Sequence, residues 1–170
     1  MTRRPVDTGS AGAFLAAAEL ALRGWPASLT YGNTARTDVL AQVGSALLPA
    51  AIQVKTKGET SRVFQLRGVH DPSAPDANEW VVLVALNRPS PADYFVVPRN
   101  HVCGAVVAVM EAKPRNQRGG LGPQVFERYR NEWELMEMPA RDVDWRVEDW
   151  VYPILERLDW PRRPDPSPPS

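Results

Sequence analysis

The stretch Ile52-Gln53-Val54-Lys55-Thr56-Lys57 alternates apolar and polar side chains, the period of a half-buried β-strand. Ile52, Val54 and Thr56 would face one way, and Gln53, Lys55 and Lys57 the other. The pattern demands a sheet with one buried side, and no other stretch constrains the fold as much. Two lysines beside an amide on a core strand mark either a solvent-facing side or a working site.

The rest of the chain supplies that strand with neighbours. Ser10 can cap a helix from about Ala11 to Leu22, rich in Ala and Leu, and Gly24 stops it. Phe14, Ala18, Ala21 and Leu22 give the helix an apolar face, and Glu19 is its only acid. Ser28–Tyr31 and Asp38–Val43 read as strands, separated by a turn at Gly32–Arg36. A further strand is expected at Arg62–Leu66, then a loop from His70 to Asn78. Trp80–Leu86 is a continuous apolar run with β-branched enrichment, the signature of a buried central strand. Asp93–Pro98 is a strand beside it. His101–Met110 fits a helix or a strand, its valines favouring a strand and its Pro-Arg-Asn start a helix. Glu127–Met136 and Val143–Leu158 look helical, anchored by Trp133, Trp145, Trp150 and Leu158. Helix, then strands with a hairpin, then helices describes an α/β or α+β domain with a mixed sheet.

The 170 residues suffice for one domain with a normal core. Its expected parts are a flexible arm at 1–9, a core at 10–112, a helical extension packed on the core at 113–160, and a Pro-rich disordered tail at 161–170. Acids and bases balance at 20 each, so no global charge advertises a nucleic-acid partner. The balance is uneven along the chain. Lys113, Arg115, Arg118, Arg128 and Arg130 stand against the single acid Glu127, and residues 131–160 hold nine acids against three arginines. A single cysteine, Cys103, excludes an intramolecular disulfide and suits a cytoplasmic protein. No apolar run approaches the roughly 20 residues that span a bilayer, so no membrane partner is expected. The stretch Ala11–Leu22 reads as a helix of the mature protein, not a signal peptide.

The hairpin between the second and third strands carries the chemistry. Its turn should centre between Gly44 and Leu48, which sets the partner of Asp38 between residues 50 and 58. Gln53 and Lys55 lie in that window. A carboxylate, a carbonyl oxygen and an ammonium would meet at one end of the sheet. A hard cation such as Mg²⁺ takes oxygen ligands of these kinds. A lysine nearby can orient or deprotonate a water, or neutralise charge developing on a phosphorus centre. Metal plus lysine is a kit for in-line attack on a phosphodiester.

Asp38 followed by Gln53-Val54-Lys55 resembles the PD-(D/E)xK nuclease superfamily, the restriction-endonuclease-like enzymes. The run Ala18-Glu19-Leu20, Arg23-Gly24-Trp25, Gly32-Asn33, Asp38-Val39-Leu40, Ile52 to Lys57 and Tyr94 to Pro98 looks like a group of small bacterial domains within it. The resemblance covers roughly residues 10–100. It implies a mixed β-sheet flanked by helices and a metal-dependent DNA endonuclease using Mg²⁺ or Mn²⁺. Asp38, Gln53, Lys55 and Glu19 would be its catalytic residues. Asp38 would bind the metal, Gln53 would stand at the second acidic position, Lys55 would be the motif lysine and Glu19 a further metal ligand. Two departures stand out. Gln53 replaces the usual carboxylate, removing a negative charge that Glu19 or Glu59 would have to supply, and Thr37 precedes Asp38 in place of proline. Cleavage of both strands implies two sites and hence a homodimer. The alternative is an inactive nuclease-fold module that binds nucleic acid or a protein.

Simpler readings apply elsewhere. Lys57 reads as a surface lysine, His70 as a solvated loop residue and Asn33 as a turn former. His101 and Cys103 lack a second pair at metal-ligand spacing, so zinc is not expected, and Cys103 reads as a small buried hydrophobe. The basic stretch 113–130 is a solvated surface, or a grip on a phosphate backbone.

Overall fold

A computed structural model describes residues 5–30, 36–45, 49–66, 69, 78–87, 89–112, 120–143 and 147–157. Helix α1 spans Pro5–Leu22. It begins earlier than expected, at a proline whose missing N–H is harmless in a first turn. Ser10 therefore lies inside the helix, and residues 5–9 of the expected arm are helical. The end is as expected. Gly24 adopts φ +77°, its N–H donates to the Ala21 carbonyl, and the Trp25 N–H donates to the Leu20 carbonyl.

Five strands follow: β1 (Ala27–Leu29), β2 (Val39–Ala41), β3 (Ala50–Lys57), β4 (Glu79–Ala85) and β5 (Asp93–Pro98). They form one sheet in chain order, with β3 parallel to β4 and the other neighbours antiparallel. The pairs Val39↔Ile52, Leu40↔Ala51 and Ala41↔Ala50 centre the β2–β3 connection on residues 45–46, within the expected window. The domain is thus a mixed α/β fold. Helix α1 lies on the face bearing Val39, Ile52, Val54, Trp80, Val82 and Val84, where Ala16 and Leu20 join the core. Gly12 is the closest approach, since a Cβ there would sit 1.8 Å from Thr56 Oγ1.

Among the described residues, the helices on the other face lie over β4 and β5. Helix α2 (Arg99–Ala112) and helix α3 (Val147–Arg157) pack there on Val81, Leu83, Phe95 and Val97. In α2 the buried Val102, Ala105, Val106 and Val109 recur at helical spacing, which decides the element left open between helix and strand. Between α2 and α3 run three 3₁₀ segments, Pro123–Tyr129, Trp133–Glu137 and Ala140–Asp142, where one longer helix was expected. Trp133 and Trp150 are buried anchors as expected, while Trp145 and Leu158 lie outside the described residues.

The expected strand at Arg62–Leu66 does not form. Phe64 makes one isolated antiparallel bridge with Leu121. Pro123, two residues on, has no N–H to continue a ladder, and it opens a 3₁₀ segment instead. Gly120, at φ +98°, fits against this bridge because a Cβ would meet the Phe64 carbonyl oxygen at 2.1 Å. Nearly all of the expected loop at 70–78, and the tail at 161–170, lie outside the described residues.

Candidate active site at the fork between β2 and β3

Asp38 sits immediately before β2, where the antiparallel ladder gives out. Its N–H donates to the Ile52 carbonyl at 2.8 Å, and its carbonyl accepts from the Thr30 N–H at 3.0 Å. Beyond that point β3 continues without a β2 partner. The Val54 N–H would be left unpaired, and it donates instead to Asp38 Oδ2 at 2.7 Å. The main chain thus holds the carboxylate between the positions of Gln53 and Lys55.

Gln53 and Lys55 point away from α1, on the face shared with Val81 and Leu83, their register partners in β4. Among the described residues no helix covers that face above β2 and β3, and both side chains are half-buried. The Oε1 of Gln53 is sealed from solvent and accepts no hydrogen bond. The register, carried one residue back from Val39↔Ile52, sets Asp38 opposite Gln53, inside the window of the hairpin arithmetic, with Lys55 next along the same face.

Glu19 is elsewhere. It lies on α1, beneath the opposite face, and its Oε2 is 2.6 Å from Arg23 Nη1. Arg23 in turn stacks 4.7 Å from the Trp133 ring. The Glu19 charge is felt at Tyr94 of β5, whose hydroxyl is raised above its ordinary pKa first by burial and then by this carboxylate. Glu59 is exposed in the turn after β3. Neither supplies the charge that Gln53 lacks. Among the described residues no three His, Cys, Asp or Glu side chains gather as a metal cluster. Among the described residues, the cation donors at the fork are one carboxylate and one carbonyl.

Two simpler readings change. Lys57 is not a surface lysine but is 9% exposed, with Nζ donating to the Ser61 carbonyl at 3.3 Å. Cys103 is half-buried and its Sγ donates to the Val69 carbonyl at 2.7 Å. His101 is a buried neutral histidine. Its Nδ1 lies 2.8 Å from the Tyr129 hydroxyl, and burial pushes its pKa down to about 4. Burial raises Tyr129, so its O–H stays on to donate. Of the basic stretch, Arg130 is committed within the molecule, to Asp93 and Glu127 and over the Phe95 ring at 4.9 Å. Lys113, Arg115 and Arg118 lie outside the described residues, as does Asn33.

One buried pair escaped sequence reasoning. Arg99, the first residue of α2, is almost fully buried and places Nε 3.2 Å from Glu79 Oε2, an ion-pair distance without hydrogen-bond alignment. The pairing Trp80↔Pro98, carried one residue on, sets these two opposite each other. Only the β4–β5 register could have revealed it.

No family model matches the chain, and no curated protein matches it. Among solved structures, the bacterial homing endonuclease I-Ssp6803I matches with a TM-score of 0.51 over 80% of this chain and 93% of that one. At 16% identity the likeness is one of fold, and fold alone does not assign an activity.

Proposed function

We propose that the chain is a cytoplasmic, metal-dependent endonuclease that hydrolyses DNA phosphodiester bonds at the fork between β2 and β3. One observation carries this reading. A carboxylate clamped by the Val54 N–H stands beside a buried glutamine carbonyl that no donor meets. Leaving such an acceptor unpaired costs about 1–3 kcal/mol, which a cation would offset. A carboxylate and a neutral carbonyl are oxygen donors of the kind that Mg²⁺ or Mn²⁺ takes. Asp38 and Gln53 would hold the ion, which when bound supplies Lewis-acid chemistry at a phosphoryl oxygen. Lys55, on the same face, would orient the attacking water, accept its proton, or offset negative charge as it develops. Glu19 stays outside the proposal because its carboxylate is engaged with Arg23 beneath the sheet. DNA would approach the face of β2 and β3 that bears Gln53 and Lys55.

A second reading is a nuclease fold that grips nucleic acid or a protein without cutting. The amide at Gln53 favours it, since it brings no charge to the ion. Plasmid and branched DNA incubated with Mg²⁺ or Mn²⁺ separate the two. The enzyme should nick or cut, and Asp38→Ala and Lys55→Ala should not. A wild type that leaves DNA intact but shifts it in a gel would replace the first reading with the second. Equal cutting by the variants would remove the site.

A further inference from the structure

Helix α1 is apolar on both sides. Its inner side, with Gly12, Ala16 and Leu20, rests on the sheet. Its outer side carries Ala11, Phe14, Leu15, Ala18, Ala21 and Leu22. Phe14 is 59% exposed, Leu15 36% and Leu22 82%. With 3.6 residues per turn these six fall within an arc of about 120°. They also follow the a, d and e spacing of a heptad, which a surface helix normally reserves for its buried side. Contiguous apolar strips of this kind mark contact surfaces.

We propose that this strip joins two copies of the chain, with α1 packed antiparallel on α1 about a twofold axis at Ala18. The strip is complementary to itself when reversed about that residue. Phe14 then meets Leu22 of the partner subunit, Leu15 meets Ala21 of the partner subunit, and the two Ala18 positions face each other. Alanine at the crossing lets the axes approach to the short end of the roughly 8–10 Å range for packed helices. An isologous contact of this kind is the commonest way for a chain to close an assembly. Charge does not oppose it. Between Thr8 and Leu22 the sole charged side chain is Glu19, which is already paired with Arg23.

Other occupants fit less well. Residues 158–170, outside the described part, hold five prolines and only Leu158 and Trp160 as large apolar side chains. That sequence cannot lay a periodic apolar edge along three helical turns. A lipid surface would call for lysine or arginine beside the strip, and none occurs from Thr8 to Leu22. The inference needs only the exposed strip and stands apart from the nuclease reading.

Sedimentation equilibrium of the full chain tests it. The wild type should sediment at twice 18.9 kDa. Leu22→Glu and Phe14→Glu should weaken association by about 30-fold or more, as loss of a central contact does, with an unchanged circular dichroism spectrum. Val107→Glu, which alters an exposed apolar residue of α2, should stay dimeric. In a Cys103→Ser background, Ala18→Cys should cross-link to itself on oxidation. Phe14→Cys should cross-link only when mixed with Leu22→Cys. A wild type at 18.9 kDa throughout, a dimer that survives both glutamates, or self-cross-linking of Phe14→Cys would overturn the proposal.

Discussion

The two halves of the sheet are built from similar strands and meet different ends. In β4 every residue from Trp80 to Ala85 is buried, because α1 with Trp133, Met136 and Ala140 covers one face while α2, α3 and the segment Pro123–Tyr129 cover the other. In β2 and the first part of β3, residues alternate between buried and half-buried or exposed, because among the described residues α1 is the helix that covers them, on one face. Both strand types satisfy their backbone by pairing. They differ in whether the second face has a lid. Polar side chains can therefore work only on the β2–β3 half, and that is where Asp38, Gln53 and Lys55 stand.

Substitution on the open half should cost activity without cost to the fold. Lys55→Met should slow cleavage by about 10²–10⁴-fold, the usual weight of positioned proton transfer, while the melting temperature stays within a few degrees. A plasmid-nicking time course beside a thermal melt reads both. On the closed half the reverse holds. Phe95→Ala removes a fully buried ring that meets Phe64 edge-on at 5.9 Å. It should destabilise by about 3–5 kcal/mol in a urea titration.

The closed half should also carry a pH dependence. His101 is neutral in the fold, with its pKa lowered to about 4, whereas an unfolded histidine titrates near 6.5. Its contribution is complete above about pH 6.5 and is lost as the pH falls towards 4, where the unfolded chain binds the proton first. The drop should be on the order of 2–3 kcal/mol, and His101→Gln should flatten it. Urea titrations between pH 7.5 and 4 measure the slope. Gln53→Met sharpens the contrast from the other side. Removing a buried acceptor that lacks a donor should leave stability unchanged or raise it by about 1 kcal/mol, while abolishing cleavage. The smallest effect is expected for Arg130→Ala. Its partners Asp93 and Glu127 are solvent-accessible, so the loss should stay below about 1 kcal/mol and shrink further in high salt.

Much of the fold was legible because period and length speak directly. The alternation at 52–57 gave β3 and its facing, and the apolar run at 80–86 gave a doubly buried strand. The hairpin spacing gave the meeting of Asp38 with Gln53. Residues 62–66 misled because an alternating pattern says that a segment is half-buried without saying what pairs with it. Phe64 is buried against a single bridge partner, and Pro123 prevents a ladder. Glu19 misled differently. Its place on the first helix matched the motif, yet a helix can lie on either face of a sheet, and α1 lies on the face turned away from Lys55.

The sequence by itself determined which side chains share a face of each strand, because the side-chain period of a strand is fixed by the backbone. It therefore determined that Gln53 and Lys55 stand together and that the β2–β3 hairpin sets Asp38 against them. Only the tertiary structure decided which face α1 would cover, where β2 would stop, and that the Asp38 carboxylate would take the place of a ladder acceptor for Val54. Those outcomes depend on packing between elements distant in sequence, which no local period encodes. The apolar outer strip of α1 lies between the two cases. Its residues are plain in the sequence, but only the placement of α1 left that side exposed.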